Sequence, residues 1–308
     1  MPEKLSIGID LGGTKISGIV LGTGGKTVAQ RRIAAPRVSY QETLNAVRDL
    51  VRDLESDLAP AHPSLPVGIG VPGSISAKDR CLQNANSVWL NGKPLDADLQ
   101  KLLDRPVRLA NDANCFALSE YTDGAAIGAR TVFGVIIGTG CGGGIIRNGE
   151  IIDGPRGIGG EWGHNPLPSP ESDELPGPAC WCGRRGCIET WVSGPGLEAD
   201  YALSTGVNLP AAEIVAATND PDAVTCLEKH ASRLARGLAG IVNILDPDVI
   251  VLGGGLSNMP HLYSRLPELI SPHIFATDYS VDIRPPLHGD DSGVRGAARL
   301  WLQNKNNS

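Results

Sequence analysis

The sequence lacks any run of lysine and arginine, and its 34 acidic residues outnumber its 27 basic ones. Proteins that bind nucleic acid need clustered cations to neutralise the phosphates. We therefore expect no nucleic-acid partner. The net charge of −7 favours solubility and indicates little about function.

Long hydrophobic segments are also missing. The first residues, MPEKLSIGID, contain no apolar stretch of the length that a signal peptide needs. The longest apolar run, residues 131–146, is interrupted by glycines and is shorter than a helix that crosses a bilayer. We expect no export, no membrane segment and a cytoplasmic location.

The cysteines lack the even count of a disulfide framework. There are seven, and three of them crowd between Cys180 and Cys187. Such crowding is typical of a metal site in a reducing compartment. We interpret the other four as small apolar residues of the interior, namely Cys81, Cys115, Cys141 and Cys226.

The residues that are present indicate two α/β domains. The chain has 308 residues, 41% hydrophobic and 20% charged, which is an ordinary globular composition with room for two cores. We place the domain boundary near Cys115, so that residues 1–115 form a first lobe and residues 116–291 a second. The closing segment, about 292–308, is predicted to be a helix that packs back on the first lobe.

A strand, a glycine turn and a second strand occur twice, over residues 6–21 and 132–151. In both places the residues after the glycines alternate or are β-branched, which predicts hairpins. A dinucleotide-binding fold instead needs its glycines between a strand and a helix. The pattern therefore counts against that fold.

The rest of the chain predicts further helices and strands. Helical spacing of apolar residues predicts helices over about 40–58 and 224–245. Short apolar runs predict strands at 67–71 and 107–110, and another within DPDVIVLGGG. Residues 156–190 form a long loop rich in glycine and proline, which a compact domain tolerates only when something else holds it together.

The first glycine turn is a candidate phosphate site. Asp10 ends an apolar strand and precedes a turn that contains Gly12, Gly13, Thr14 and Lys15. Backbone N–H groups at glycine can approach phosphates, and an aspartate can hold Mg²⁺ through water. A plain hairpin turn is the alternative interpretation.

Two later glycine turns favour the phosphate interpretation. GTGCGGG and LGGG each follow an apolar strand, as the first turn does. Three such turns are expected to converge on one nucleotide. The later residues concerned are Gly138, Thr139, Gly140, Gly253, Gly254 and Gly255.

A P-loop is excluded by a single position. Gly25, Lys26 and Thr27 resemble the end of that motif, but the motif requires glycine where this chain has Val20. We interpret GTGGKT as the polar turn after the second strand. The glycine-rich loop of protein kinases, with its lysine, is absent as well.

The segment LANDANC places Asp112 just after a strand, beside Asn111 and Asn114. A carboxylate at this position can orient a hydroxyl and accept its proton during phosphoryl transfer. Aspartate and asparagine also favour the N-cap of a helix for local reasons. The segment alone does not separate these two roles.

One imidazole and three thiols are spaced for a single tetrahedral ion: His164, Cys180, Cys182 and Cys187. This set leaves no open coordination position, so we predict a structural zinc that holds the long loop. Glu161 and Glu189 lie on the segments that the zinc would fix, and are candidate acceptors for substrate hydroxyls. Ordinary surface carboxylates are the alternative for both.

Seven segments carry a resemblance that covers nearly the whole chain: GIDLGGTK (8–15), VPGSIS (71–76), LANDANC (109–115), IIGTGCGGG (136–144), GEWGH (160–164), CWCGRRGCIET (180–190) and DPDVIVLGGG (246–255). With them the chain resembles the ROK-type bacterial sugar kinases. The resemblance implies the α/β, actin-like and hexokinase-like (ribonuclease H-like) ATPase fold, with two lobes and a cleft between them.

The resemblance also implies roles for individual residues. It makes Asp112 the catalytic base in ATP-dependent phosphorylation of a hexose, and His164 both a zinc ligand and a sugar-pocket residue. It places ATP-Mg²⁺ at Asp10 and the three glycine turns. The residues that it places at the sugar are Gly73, Asn86, Asn111, Glu161, His164 and Glu189.

Within the family, NANSVWLNGKPL (84–95) and GEWGHNPL (160–167) look most like the fructokinase and mannokinase branch. Fructose, phosphorylated at its 6-hydroxyl, is therefore the expected substrate, with mannose or glucose as secondary ones. The alternative is N-acetylglucosamine or another amino sugar. A sugar-responsive regulator without catalysis is an alternative of another class, which the few residues before Ile7 disfavour. A homodimer is common among similar proteins.

Overall fold

The structure is a computed structural model that describes residues 4–58, 64–85, 87–277 and 280–301. Strands and helices alternate along the chain, which confirms the predicted α/β class. The strands are β1 (Leu5–Leu11), β2 (Lys15–Gly22), β3 (Thr27–Ala34), β4 (Val67–Val71), β5 (Ser74–Ile75), β6 (Leu82–Gln83), β7 (Val107–Asn111), β8 (Thr131–Ile137), β9 (Cys141–Arg147), β10 (Glu150–Ile151), β11 (Val249–Gly253) and β12 (Ile283–Arg284). The α-helices are α1 (Tyr40–Ser56), α2 (Leu95–Leu103), α3 (Asp112–Asp123), α4 (Glu189–Val192), α5 (Gly194–Thr205), α6 (Ala211–Ala216), α7 (Pro221–Leu245), α8 (Pro260–Ile270) and α9 (Ser292–Arg299).

Two compact units divide the chain, and neither is continuous in sequence. Unit 1 takes its described residues from 1–127, 144–159 and 290–308, and unit 2 takes its own from 128–143 and 160–289. The chain passes from unit 2 into unit 1 between Gly143 and Gly144, within β9. The lobes predicted from the sequence, residues 1–115 and 116–291, stay a prediction.

Unit 1 is built on a five-stranded sheet with the order β3-β2-β1-β4-β7. Strands β1 and β2 form an antiparallel pair that joins Leu11 to Ile16, which confirms the first predicted hairpin. Strands β1, β4 and β7 are parallel, and pair Asp10 with Gly70 and Gly70 with Ala110. The carboxyl ends of these three strands therefore meet at one edge of the sheet.

Helix α1 packs against the unit 1 core. Its N-cap is Ser39, whose side chain accepts the backbone N–H of Glu42 at 3.2 Å. This cap satisfies one of the N–H groups that a helix start leaves unpaired. The apolar residues recur with helical spacing and are buried, as the sequence predicts: Leu44, Val47, Leu50, Val51 and Leu54.

Helix α9 lies against β1 and β4 with almost no side-chain layer between the backbones. A Cβ atom on Gly8 would lie 2.1 Å from the carbonyl oxygen of Val294. A Cβ on Gly68 would lie 1.9 Å from that of Ala297. These distances are shorter than any real contact of a Cβ atom, so the close packing of α9 requires glycine at both positions.

The second sheet has the order β10-β9-β8-β11-β12. Strands β8 and β9 are neighbours joined by a short glycine turn, which confirms the second predicted hairpin. Strands β8 and β11 are parallel and pair Val132 with Val249 and Ile136 with Gly253. Their β-branched and apolar residues are mostly buried, as in central strands of an α/β sheet.

Helix α7 begins earlier than the predicted 224–245 segment. Its N-cap is Asp220, whose side chain accepts the N–H of Asp222 at 3.0 Å, and Pro221 occupies the first helical turn. These polar start signals precede the apolar periodicity on which the prediction depended. No helix in the described part of the chain, α7 included, has the length and apolarity to cross a membrane.

A buried ion cluster holds the long loop to α7 within unit 2. The Glu174 carboxylate accepts hydrogen bonds from Arg233 Nε at 2.8 Å and Arg236 Nη2 at 2.6 Å. Arg233 also donates to Asp200 at 2.8 Å. Burial raises the pKa of Glu174, but the hydrogen bonds from Arg236 and Arg233 outweigh this and lower it to about 2. No pattern in the sequence indicates a role for these residues.

Candidate functional site

The residues predicted for the site fall into two clusters, one in each unit. Asp10, the first glycine turn, Gly73 and Asp112 belong to unit 1, whereas the later glycine turns and the cysteines belong to unit 2. Asn86 lies outside the described residues. The roles assigned to the other residues stay predictions.

The parallel strands of unit 1 bring Asp10 and Asp112 to the same edge of the sheet. Asp10 lies near the end of β1, and Asp112 directly follows β7. The buried thiol of Cys115 is close enough to respond to both, since its pKa is raised first by burial and then by the charges of Asp10 and Asp112. Burial also raises the pKa of Asp10 itself, and the charges of Lys15 and Arg32 partly offset that effect.

The first glycine turn is tight and exposed. The N–H of Gly12 donates to the carbonyl oxygen of Lys15 at 3.1 Å, and a Cβ on Gly12 would lie 2.8 Å from the same oxygen. Arg37 Nε donates to the carbonyl oxygen of Gly13 at 3.1 Å. Lys15 Nζ lies 3.6 Å from Asp290 on the surface. Sequence reasoning missed Arg37, because no local pattern connects it with the turn.

Asn111 and Asp112 differ in position at the start of α3. Asn111 is the N-cap, and its side-chain oxygen accepts the N–H groups of Ala113 and Asn114. Its amide nitrogen donates to the carbonyl oxygen of Gly73 at 2.9 Å. Asp112 lies in the first turn, where Oδ1 accepts the Ala113 N–H at 2.8 Å. The N-cap interpretation therefore applies to Asn111 rather than to Asp112.

Gly73 occupies a turn that excludes any larger residue. Its φ is +74°, in the left-handed region. A Cβ there would lie 2.3 Å from the carbonyl oxygen of Gln83 and 2.7 Å from the N atom of Ala85. Glycine is required for both reasons, since the conformation is strained for other residues and the space is filled by backbone. The turn holds the Gly73 carbonyl against Asn111.

Two of the three glycine turns lie side by side in unit 2. They follow the parallel neighbours β8 and β11, and a Cβ on Gly138 would lie 3.8 Å from the N atom of Gly255. Gly254 has a φ of +83°, and a Cβ there would lie 2.4 Å from the carbonyl oxygen of Ile137. Thr139 is exposed between Gly138 and Gly140. Convergence of these turns with the first one stays a prediction.

Glu189 is bound to the turn between β8 and β9. Its Oε2 accepts the N–H of Cys141 at 3.0 Å, and a Cβ on Gly140 would lie 2.9 Å from the same oxygen. Its Oε1 accepts the indole N–H of Trp181 at 2.7 Å. The glycine at position 140 therefore leaves room for the carboxylate, and sequence reasoning missed Trp181.

Glu161 is a partly buried carboxyl beside Glu189 and His164. Burial raises its pKa above the ordinary value, the charge of His164 lowers it, and the charge of Glu189 raises it further. Glu161 precedes the short 3₁₀ turn Trp162–His164. Trp162 anchors that turn, because its indole N–H donates to the carbonyl oxygen of Gly142 at 3.0 Å.

The four predicted metal ligands form one cluster, and their ligand atoms all lie within 4.8 Å of one another. His164 Nδ1 lies 3.6 Å from Cys180 Sγ, and Cys182 Sγ lies 3.6 Å from Cys187 Sγ. A hydrogen bond from Arg184 lowers the pKa of the Cys182 thiol to about 6, which favours the thiolate that a metal needs. The donor set and its spacing fit a closed zinc site.

Known proteins are similar to this chain over nearly its full length. A family model described as the ROK family matches residues 6–304. An N-acetyl-D-glucosamine kinase from Yersinia pseudotuberculosis is 40% identical over 304 residues, which are 97% of this chain and 99% of that protein.

Solved structures agree with this match. A ROK hexokinase from Thermus thermophilus has a TM-score of 0.85 and 30% identity, and the match covers 98% of this chain and 100% of that chain. A ROK family glucokinase from Streptomyces griseus, solved with glucose and AMPPNP, has a TM-score of 0.78 and 28% identity over 96% and 98%. These matches confirm the predicted actin-like, hexokinase-like fold. The chain belongs to the ROK family.

Proposed function

We propose that this protein is an ATP-dependent sugar kinase that phosphorylates N-acetylglucosamine at the 6-hydroxyl. The observation that carries the proposal is the 40% identity to the Yersinia N-acetyl-D-glucosamine kinase over nearly the full length of both chains. From the sequence motifs, fructose is the expected substrate and N-acetylglucosamine is the alternative. The relatives give fructose no support, and the segment NANSVWLNGKPL is not sufficient evidence for that branch.

In this proposal Asp112 is the general base. It orients the 6-hydroxyl and accepts its proton as the oxygen attacks the γ-phosphorus of ATP. The bond from that phosphorus to the β–γ bridging oxygen breaks, and ADP leaves. The hydrogen bond from the Ala113 N–H holds Oδ1 of the carboxylate in place. Asn111 supports the same geometry, since its side chain links the start of α3 to the Gly73 carbonyl.

The glycine turns bind the nucleotide in this proposal. Gly12 and Gly13 let the backbone of the turn approach the phosphates, and Thr14 and Lys15 can donate to the phosphate oxygens. Asp10 suits the Mg²⁺ that accompanies ATP. The adjacent turns at residues 138–140 and 253–255 suit the remainder of the nucleotide. The bound glucose and AMPPNP of the Streptomyces griseus glucokinase support a site of this kind.

The cysteine cluster holds a structural zinc in this proposal. His164 Nδ1 and the thiols of Cys180, Cys182 and Cys187 would complete four-coordinate geometry, and the ion would fix the segments that carry Glu161 and Glu189. Both carboxylates then accept hydrogen bonds from sugar hydroxyls. The homodimer and the cytoplasmic location remain predictions.

The test is a coupled ADP-release assay with ATP-Mg²⁺ and a panel of N-acetylglucosamine, N-acetylmannosamine, glucose, mannose and fructose. We expect kcat/KM for N-acetylglucosamine to exceed that for each other sugar by at least about tenfold, which is about 1.4 kcal/mol of transition-state discrimination. A higher kcat/KM for fructose would restore the first expectation. No turnover of any sugar would reject the kinase proposal in favour of a regulator or binding protein.

A further inference from the structure

Trp181 is an exposed tryptophan with two directional contacts. It lies between the predicted metal ligands Cys180 and Cys182, and 68% of its surface is exposed. Its indole N–H nevertheless donates to Glu189 Oε1 at 2.7 Å. Its ring meets the His164 imidazole edge to face, with centroids 4.9 Å apart and planes at 85°. Because most of the side chain is in contact with solvent, burial of apolar surface does not explain why a tryptophan occupies this position.

The contacts of Trp181 and Cys141 together hold both oxygens of one carboxylate. Trp181 holds Oε1 of Glu189, and the Cys141 N–H holds Oε2 at 3.0 Å. Glutamate has several rotatable bonds, and a single hydrogen bond does not fix its orientation. A second donor on the other oxygen fixes the carboxylate plane, and with it the directions in which the remaining lone pairs accept hydrogen bonds.

We propose that Trp181 is a positioning residue that orients Glu189 for the sugar and transmits the effect of the metal to it. This inference rests on the proposed function and adds a residue to which the sequence motifs assign no role. Because the residues on both sides of Trp181 are metal ligands, a bound ion fixes its backbone. We expect removal of the ion to free the backbone on both sides of Trp181 and so to weaken the alignment of the indole N–H on Glu189.

The first experiment compares Trp181→Phe with wild type on the sugar that wild type prefers. Phenylalanine keeps an aromatic ring near His164 but has no N–H for Glu189. We expect KM and the calorimetric Kd for the sugar to rise about fivefold to tenfold, because a hydrogen bond to a charged group is lost. We expect kcat to stay within about twofold, KM for ATP to be unchanged, and zinc content by metal analysis to be unchanged.

Trp301→Phe is the matched control. Trp301 belongs to unit 1, and its indole N–H donates to the carbonyl oxygen of Val67 at 2.7 Å, the same length as the Trp181 bond. It is not part of the predicted site. We expect this variant to keep the KM and Kd of wild type for the sugar.

A second experiment combines the variant with metal removal. If Trp181 transmits part of the ion's effect, chelation weakens sugar binding by a smaller factor in Trp181→Phe than in wild type, because the two changes share one contact. The weakening that both proteins show comes from the loosened segments that carry Glu161 and Glu189. Additive effects of chelation and substitution would overturn the inference. An unchanged Kd in Trp181→Phe would overturn it as well, and so would a loss of zinc from that variant, since the tryptophan would then act on the metal rather than on Glu189.

The proposed function and this inference fail in different ways. If wild type phosphorylates no sugar in the panel, the proposed function fails. If wild type is active and Trp181→Phe behaves like Trp301→Phe, the kinase proposal stands and the positioning role of Trp181 is rejected.

Discussion

Asp112 and Asn111 are neighbours in sequence but have different positions at the start of α3. The sequence left open whether the aspartate is a helix cap or a base, because both residue types favour the N-cap. In the structure Asn111 is the N-cap, and Asp112 is the first residue of the helix, with its Oδ1 on the Ala113 N–H. Local sequence could not decide between the two, since the answer depends on the contact of Asn111 with the distant Gly73.

Replacing Asp112 tests its role as the base. We expect Asp112→Asn to lower kcat by about 10²- to 10⁴-fold, because an amide cannot accept the proton, and to leave the sugar Kd within about tenfold. Asp222→Asn is the matched control, since Asp222 also lies in the first turn of a helix but outside the predicted site. Steady-state kinetics and calorimetry check both variants, and a kcat near that of wild type would reject Asp112 as the base.

His230 makes stability depend on pH. Its ring is buried, Nε2 lies 3.0 Å from the carbonyl oxygen of Val192, and burial lowers the pKa to about 4. The nearby charges of His261 and Arg233 lower the pKa further, whereas the Val192 contact and Asp200 raise it. In the unfolded state the histidine pKa is about 6.5, so between pH 6.5 and pH 4 this side chain is protonated when the protein is unfolded and neutral when it is folded. His230 therefore lowers the free energy of unfolding as the pH falls through that range.

The expected loss from His230 at pH 4 is about 3 kcal/mol, at about 1.4 kcal/mol for each pKa unit. Urea unfolding at a series of pH values measures it for wild type and for His230→Gln, which does not titrate. The variant should lose less stability than wild type between pH 6.5 and pH 4. Parallel curves for the two proteins would contradict the prediction.

At the scale of elements, the long loop and α7 are joined by the Glu174 cluster. We expect Glu174→Ala to destabilise the protein by about 3–5 kcal/mol, because it leaves Arg236 buried without a carboxylate and Arg233 with Asp200 alone. Asp173→Ala is the matched control, since its ion pair with Lys229 is on the surface, with 56% and 49% of the side chains exposed. That change should cost less than about 1 kcal/mol. Equal unfolding midpoints for the two variants in urea would reject the assignment.

In the proposed function, a zinc ion at the cysteine cluster is the second feature that holds the long loop. Removal of zinc with a chelator should increase amide hydrogen exchange in residues 160–190, because metal binding is linked to local folding. Exchange in β1, which belongs to the other unit, should not change. Mass spectrometry of peptides resolves both regions, and unchanged exchange in the loop of a verified metal-free protein would show that zinc is not needed there.

Helices and hairpins were predictable from sequence because their signals are local. The apolar spacing of α1 and α7 and the glycine turn between β1 and β2 each lie within a short window. The grouping of His164, Cys180, Cys182 and Cys187 was predictable for a similar reason, since residue type and spacing carry the chemistry of a metal site. The Glu174 cluster was not, because its carboxylate and its guanidinium groups come from segments about 60 positions apart and neither segment shows a recognisable motif.

At the scale of the whole molecule, unit 1 depends on its last helix. Ser6 Oγ donates to the carbonyl oxygen of Ala298, a residue 292 positions away. Ile19 and Leu21 of β2 form a buried cluster with Val294 and Ala298 of α9. Contacts this distant leave no periodicity in the sequence, and residues 144–159 in particular could not be assigned to unit 1 from local patterns.

Shortening the chain tests this dependence. A protein that ends at Gly289 lacks α9, and we expect rapid proteolysis of its N-terminal strands because Ile19 and Leu21 lose their cover. Addition of a peptide with the sequence of residues 290–308 should restore protection, and a scrambled peptide should not. Limited proteolysis with mass spectrometry measures the cleavage sites, and full protection without α9 would contradict the prediction.

The close approach of α9 to Gly8 and Gly68 also has a consequence for biosynthesis. Translation produces β1 and β2 before α9, and most of the described chain lies between them. Throughout that interval Gly8 and Gly68 lack the helix that packs on them, and their strands offer a surface on which chaperones and other nascent chains can act. The unit that begins to form first is therefore the one that is completed last.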